Sequence, residues 1–247
     1  MRKKDQQLRI NYFRERLKRL PDIRCGVWNC GSETFQMIWC VSNGKRKNCH
    51  RITSGRGQDL LHLKEESDNC RRILSKLESK WNATYNTPCE NMKIRMFGNT
   101  RNRRLFDSYE ERANPMPFES PVTYKNQLFR SKLEADFARI MDDNGIPYKY
   151  EPGVAVSSTS TRYPDFIIYL PWIDLIILVE INGKCDDEEY VDRTFNKAKE
   201  YLLIDWVPGY NMLTFYYTDK TAYVSDMVME EIENLEIRNL MALANIR

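Results

Sequence analysis

The sequence predicts an α/β fold for residues 124–247, built as a sheet covered by helices. Segments with helical spacing of apolar residues alternate there with short strand-like runs, in the order helix, two or three strands, helix, strand, helix. The run Leu175–Ile181 is apolar enough to be buried on both faces, as strands of parallel sheets are. A helical crossover between two strands implies that they are parallel, so an α/β sandwich is expected.

Residues 1–90 predict a small basic module of helix, β-hairpin and helix. Apolar residues near helical spacing in the first twenty residues predict a helix that ends at Pro21. The dipeptide Asn43-Gly44 between apolar runs is a strong hairpin signal. The predicted strands are Arg24–Cys30 and Thr34–Val41, with a candidate third run at Asn48–Thr53, and the predicted second helix is Gln58–Tyr85.

Residues 91–123 predict a connector between two modules. They contain Pro115, Pro117 and Pro121, and the basic run Arg95–Arg104 lies among them. We therefore predict three parts: a basic module at residues 1–90, a connector at residues 91–123 and an α/β domain at residues 124–247. The elements predicted for that domain are a helix at Gln127–Asp143, a broken run at Ile146–Val156, strands at Tyr163–Tyr169 and Leu175–Ile181, a helix from about Glu188 to Ile204, a strand at Met212–Thr218 and a helix from about Ala222.

The net charge of +3 hides an asymmetry between the two halves of the chain. Residues 1–120 hold 25 Lys and Arg against 14 Asp and Glu, whereas residues 121–247 hold 13 against 21. A basic half can attract polyanions and an acidic half can hold divalent cations, although both can also be simply solvated surfaces. No run is long and apolar enough to span a membrane, and seven scattered cysteines favour a reducing cytoplasm, so a cytoplasmic protein with no membrane partner is expected.

Two carboxylates end two neighbouring predicted strands. Asp165 lies in Tyr-Pro-Asp-Phe at the start of one strand, and Glu180 ends the apolar run of the next. Two carboxylates on adjacent strands can share one Mg²⁺, which also takes oxygen ligands from phosphate and water. Either residue alone is also explained by pairing with Arg or Lys, because a lone buried carboxylate is very costly. Their order on this pattern of elements favours a metal site.

The stretch from Tyr124 to about Thr218 resembles the PD-(D/E)XK nuclease superfamily. Pro164-Asp165 matches the first part of its motif, Glu180 matches the second, and Glu134 in Arg-Ser-Lys-Leu-Glu is the candidate for the carboxylate on the preceding helix. Glu180 and Gly183 match the Glu-x-x-Gly variation of very-short-patch-repair-like nucleases and of uncharacterised bacterial and phage proteins.

The resemblance implies a restriction-endonuclease-like α-β-β-β-α-β core, with Glu134, Asp165 and Glu180 as catalytic residues. It also implies Mg²⁺ or Mn²⁺ as the cofactor, held by Asp165, Glu180 and Ile181. A nuclease of a bacterium, phage or other mobile element, acting on DNA, is the expectation that follows.

The lysine of the motif is displaced, because Asn182 stands two residues after Glu180. Lys184 lies on the same strand face by alternation and can reach back toward a metal. Lys197, on the next predicted helix, is slightly favoured, because the resemblance implies that the lysine can come from that helix and one uncharacterised member has a lysine at that offset from the tyrosine matching Tyr190. A surface lysine explains each position equally well, and a nuclease fold without catalysis stays open.

Two basic clusters are candidates for holding a nucleic-acid backbone. One lies at the predicted hairpin tip and the other in the connector; they are Lys45, Arg46 and Lys47, and Arg101, Arg103 and Arg104. Charge runs are often only solvated, so solubilising loops are the alternative. The N-terminal module is expected to bind the substrate or a protein partner. Two further alternatives stay open for the whole chain: an inactive nuclease fold used for binding or assembly, and a nuclease subunit of a transposition or defence complex.

Overall fold

The computed structural model describes residues 2–92, 94, 101–218 and 225–244 of the chain, apart from the side chains of residues 101, 225, 243 and 244. The fold is a mixed α/β structure with several small sheets. It divides into two compact units, the first formed by residues 1–97 and 240–247 and the second by residues 98–239. The division falls inside the predicted connector.

The first unit consists of two helices and a three-stranded antiparallel sheet with the strand order β1-β2-β3. The predicted helix, hairpin and helix are confirmed, and the candidate third strand forms as well. Asn43 and Gly44 make the turn between the last two strands with φ angles of 52° and 71°, which Asn-Gly tolerates best. The elements are α1 Lys3–Arg19, β1 Asp22–Cys30, β2 Glu33–Ser42, β3 Lys45–Arg51 and α2 Gly55–Tyr85.

The core of the first unit lies between α1 and α2, and α2 also packs against the sheet. Leu8 and Phe13 of α1 and Leu77 and Trp81 of α2 are buried there. The leucine and isoleucine residues of α2 other than Leu77 are only half-buried. One reason is that the first turn of α2 packs against the sheet and not against α1, with Gly57 directly against the backbone oxygen of Arg51.

The structure around the connector differs from the sequence analysis in two ways. Residues 101–108, inside the predicted connector, form helix α3 (Arg101–Ser108), which packs against two strands of the second unit through Phe106. The helix expected from Gln127 begins only at Lys132. Residues before it form a hairpin of β4 (Val122–Tyr124) and β5 (Gln127–Phe129), because Lys125 and Asn126 adopt positive φ angles and turn the chain back.

The second unit is built on a four-stranded sheet with the order β11-β10-β9-β6. β6, β9 and β10 are antiparallel neighbours, and β11 is parallel to β10 because helix α5 carries the chain across. A two-stranded piece, β7 and β8, lies between β6 and β9 in the chain. The bounds are α4 Lys132–Asn144, β6 Tyr148–Tyr150, β7 Val154–Ala155, β8 Thr161–Arg162, β9 Phe166–Leu170, a 3-10 turn at Pro171–Ile173, β10 Leu175–Asn182, α5 Glu188–Leu202, β11 Met212–Tyr216 and α6 Ser225–Ala244.

Both faces of the sheet are covered, as the apolar strands predict. All five residues of β9 are buried. Phe166 contacts Phe137 of α4, with ring centroids 4.7 Å apart, while the alternate residue Ile167 lies in a cluster with Phe106 of α3 and Tyr201 of α5. Alternation along β9 thus directs side chains to helices on both sides.

The last described element is α6. It follows residues 219–224, which lie outside the described residues, and the predicted start of this helix near Ala222 falls among them. No helix of the described part of the chain is long and apolar enough to cross a membrane.

Candidate active site

Asp165 and Glu180 lie opposite each other at one end of the two central strands. The antiparallel pairing of β9 with β10 ends at Phe166 and Val179, and the next step of the same register brings Asp165 opposite Glu180. Residues directly opposite in a sheet have Cβ atoms about 4.5–5.5 Å apart. The backbone N–H of Ile181 donates a hydrogen bond to Asp165 Oδ2 over 2.6 Å, which holds this carboxylate at the strand end.

Lys197 reaches the carboxylates from α5. Its Nζ donates to Glu180 Oε2 over 2.8 Å and to the backbone oxygen of Tyr163 over 3.1 Å. The helix starts where Asp187 accepts a hydrogen bond from the N–H of Tyr190, and it follows β10 directly, so the crossover delivers this lysine to the strand end. Of the predicted lysines, the structure brings Lys197 to the acidic pair.

Lys184 is exposed and lies beyond the end of β10 at Asn182. The alternation that would have turned it toward Glu180 therefore stops before reaching it. Lys199, two residues after Lys197 on α5, is also exposed. A part for Lys184 in chemistry stays a prediction, and of these three lysines Lys197 is the one in contact with a candidate metal ligand.

The pair carries more negative charge than Lys197 neutralises. Burial, together with the nearby Asp165 charge, raises the pKa of Glu180 to about 8. Burial also raises the pKa of Asp165, against the attraction of Lys197. Burial disfavours the charged form of Lys197, but the attraction of Glu180 and Asp165 outweighs it and raises the pKa of this lysine. Lys197 is therefore a permanent cation at neutral pH, while its two partners compete for protons.

Asn182, at the position of the motif lysine, ties β10 to α5. It is buried, and its Oδ1 accepts hydrogen bonds from the hydroxyls of Tyr190 and Thr194 over 3.3 and 3.2 Å. Thr194 lies one turn before Lys197 on the helix. The side chain that replaces the motif lysine thus positions the helix that supplies another lysine.

Glu134 is buried next to the pair but is held by donors of its own neighbourhood. It accepts hydrogen bonds from the Ser131 hydroxyl, the Tyr150 hydroxyl and the N–H of Arg130 over 3.0, 2.7 and 3.0 Å. Ser131 Oγ in turn accepts from the N–H of Glu134 and caps the start of α4, while the Glu134 carboxylate reaches back to the N–H of Arg130. Burial and then the Asp165 charge raise the pKa of Glu134 to about 7.

Glu151 is a buried carboxylate that the sequence reasoning missed. Its Oε1 accepts from Arg130 Nε and from Asn114 Nδ2, each over 2.6 Å, and its N–H donates to the backbone oxygen of Asp165 over 3.0 Å. Its charge adds to the causes that raise the pKa of Asp165. The available signal in the sequence was Arg130 of the Arg-Ser-Lys-x-Glu pattern, because this arginine needs an acidic partner. The two residues brace the strand end that carries Asp165.

Among the residues described, no three His, Cys, Asp or Glu side chains form a group that could hold a metal ion. The candidate ligand set is therefore two carboxylates and a backbone oxygen. Glu180 Oε1 is buried and, among the described residues, receives no aligned hydrogen bond, although Lys197 Nζ is 2.8 Å away. The N–H of Ile181 faces Asp165, and a strand residue points its C=O to the same side, so this oxygen faces there too. Such a set fits Mg²⁺, which takes one or two carboxylates and keeps several waters.

The two predicted basic clusters lie on different units. Lys45, Arg46 and Lys47 are exposed at the start of β3, directly after the hairpin turn. Arg103 on α3 forms an ion pair with Asp107 over 2.9 Å, whereas Arg104 is exposed. The side chain of Arg101 is outside the described atoms. Their binding to nucleic acid stays a prediction.

The raised pKa of Glu180 predicts how the free energy of unfolding of the metal-free chain depends on pH. Its pKa is above the ordinary carboxyl value of 4.5, so the folded chain holds a proton that the unfolded chain releases. The stability from this proton is complete below pH 4.5 and is lost as pH rises through about 8. Urea unfolding in EDTA should show it, with a loss of up to about 1.4 kcal/mol per pH unit for one proton. Glu180→Gln should flatten the profile, and an equally steep profile in that variant would contradict the assignment.

The arrangement brings two carboxylates and a lysine cation together at one end of the sheet. Compared with protein-family models, with curated proteins and with solved structures, the chain shows no significant match to any of them, so its function is inferred from its own residues.

Proposed function

We propose that the second unit is a divalent-metal-dependent nuclease that hydrolyses phosphodiester bonds in DNA. The observation that carries the proposal is the meeting of Asp165, Glu180 and Lys197 at one end of the central strands. The order of elements supports it, because α4, three antiparallel strands, α5 and a parallel strand follow the α-β-β-β-α-β order of the PD-(D/E)XK core.

Asp165, Glu180 and the backbone oxygen of Ile181 would hold the Mg²⁺ or Mn²⁺. The bound cation would polarise the phosphate and lower the pKa of a bound water. Glu134 would orient water or a second ion, and its carboxylate is held for this by the Ser131 and Tyr150 hydroxyls and the N–H of Arg130.

Lys197 acts in this proposal as a fixed positive charge. Because its pKa is raised, it keeps its proton and cannot serve as the general base. Its contact with Glu180 supports this role, because a positive charge held beside a candidate metal ligand would stabilise negative charge developing on the phosphate oxygens. Asn182 and Thr194 keep the helix in place for this purpose.

A cleavage assay tests the proposal. The purified chain is incubated with supercoiled plasmid in Mg²⁺, in Mn²⁺ and in EDTA, and the products are separated on agarose. Nicked or linear DNA that forms only with a divalent cation is the expected result.

Calorimetry separates the rival readings of a negative assay. Binding of Mn²⁺ without cleavage would favour a subunit that needs its partner complex. Neither binding nor cleavage would favour an inactive fold used for binding or assembly, and the nuclease proposal would then fail.

A further inference from the structure

One face of the N-terminal sheet carries aromatic and arginine side chains together. Residues paired directly across an antiparallel sheet share a face, and side chains alternate along each strand. The register pairs Trp28 with Phe35 and Arg24 with Trp39, and it sets Arg51 and Arg46 on the same face opposite Met37 and Val41. We call this set the aromatic face: Arg24, Trp28, Phe35, Trp39, Arg46 and Arg51.

Two rings of this face, those of Trp39 and Phe35, are each covered by an arginine guanidinium group. A Cβ at Gly26 would lie 2.7 Å from Trp39 Cη2, so the glycine lets the indole lie flat on the neighbouring strand. The guanidinium carbon of Arg46 is 4.4 Å from the Trp39 ring centroid, and that of Arg51 is 3.8 Å from the Phe35 ring centroid. These cation–π pairs present flat groups with positive charge outward.

The outer groups of the aromatic face are open to solvent. Trp28 is 58% exposed, and Arg24, Arg46 and Arg51 are exposed as well, whereas Phe35 is half-buried and Trp39 is only 8% exposed beneath Arg46. The opposite face of the same sheet holds the buried Ile23 and Ile38. The exposed Trp28 indole serves no purpose in the core, and surface aromatic patches commonly mark binding sites.

The chemistry of the face selects its ligand. Residues 22–51 hold five Lys or Arg and two acidic residues, which favours an anion. Flat stacked groups favour a planar partner, and nucleobases stack on aromatic rings and on guanidinium planes. In a duplex the flat faces of the bases are hidden in the stack, whereas a single strand exposes them. Phe35 and Trp39 are four residues apart on β2, so their positions are separated by roughly 13 Å along the strand at its usual rise.

We infer that the aromatic face binds single-stranded nucleic acid, with bases stacked on the exposed Trp28 indole and on the outer guanidinium faces of Arg51 and Arg46, which cover Phe35 and Trp39, and with phosphates held by the arginine side chains. This goes beyond the nuclease proposal, since it concerns the first unit and requires no metal. The two inferences are independent. The chain can have the nuclease site without binding single strands on this face, and it can bind single strands here without being a nuclease.

Binding is measured with the full chain in EDTA, so that no cleavage occurs. Fluorescein-labelled 20-mers of dT and of rU are compared with a 20-base-pair DNA duplex by anisotropy, and tryptophan fluorescence is followed in parallel with unlabelled strands. Both single strands should bind more tightly than the duplex and quench the tryptophan signal. The tighter of the two identifies the natural strand as DNA or RNA.

Matched variants locate the site. Trp28→Ala should weaken binding by about 5- to 150-fold, the range for loss of one stacked base, and Trp28→Phe should restore most of it. Val27→Ala is the control, since Val27 is 67% exposed on the neighbouring position of the same strand but on the other face. Arg46→Gln should lower the salt slope by about 0.7 for one phosphate contact, and Arg71→Gln on α2 should not. Equal affinity for duplex and single strand, or unchanged binding by Trp28→Ala, would overturn the inference.

Discussion

Asp165→Asn and Glu180→Gln are each expected to abolish metal-dependent cleavage, with rates at least about 1,000-fold below that of the unchanged chain. The reason is that each variant removes one of the two carboxylates proposed to hold the cation, whose charge stabilisation is worth several kcal/mol. Initial rates of plasmid nicking over a range of Mg²⁺ and Mn²⁺ concentrations measure the effect. Wild-type rates in either variant would show that the proposed metal site does not lie at this end of the sheet.

The same two variants should keep their fold. Replacing one of two neighbouring carboxylates by its neutral isostere removes like-charge repulsion, so the midpoint of thermal unfolding in EDTA should stay level or rise. Adding Mg²⁺ should raise the midpoint of the unchanged chain, because binding to the folded state stabilises it, and should not raise that of the variants. Glu200→Gln on α5 is the matched control, since Glu200 pairs with Arg162 rather than with the acidic pair. It should cleave and respond to Mg²⁺ like the unchanged chain.

Lys197→Met is expected to lose both activity and stability, whereas Lys184→Met should lose neither. Methionine keeps the aliphatic stem of Lys197 but leaves Glu180 without its cation. Removing one partner of a buried ion pair costs about 3 kcal/mol or more. Below about pH 8 the cost should shrink, because the raised pKa of Glu180 lets it take up a proton instead.

Urea unfolding at pH 6 and pH 9 and single-turnover cleavage measure the two effects. Lys184 is exposed, so its replacement should change stability by no more than about 0.5 kcal/mol. DNA binding in EDTA should be little changed in both variants, which assigns the loss to the chemical step. Equal losses of cleavage in the two variants would mean that the contact between Lys197 and Glu180 has no catalytic meaning.

The acidic pair could be predicted from sequence because it depends on local features. A charged residue that ends an apolar run needs a partner, and two such runs separated by a turn at Pro171 are neighbours in the sheet. The distinction between Lys184 and Lys197 was less accessible, since it depends on where β10 ends and how α5 lies. Asn182 decides both, through hydroxyl contacts eight and twelve residues away.

Three other features were missed for physical reasons. Glu151 precedes a proline and lies outside any strand, and its partners Arg130 and Asn114 are 21 and 37 residues away, so no local pattern reveals it. Helix α3 lies among prolines and basic residues, and packing of Phe106 on the sheet stabilises it where composition indicated a connector. The start of α4 was missed although Ser131 and Glu134 have the Ser-x-x-Glu spacing typical of a helix start, and Ser131 caps the helix there.

For the acidic pair, the number of residues in the turn between β9 and β10 matters far more than the number in the turn between β7 and β8. Asp165 faces Glu180 only because the 3-10 turn at Pro171–Ile173 fixes the pairing of the two strands. Inserting one residue there would slide β9 along β10 and turn its side chains to the opposite face. The turn between β7 and β8 lies outside the four-stranded sheet, and its residues 157–160 are largely exposed. Relatives of this chain should therefore differ in length at residues 157–160 and keep the same number of residues between the two carboxylates.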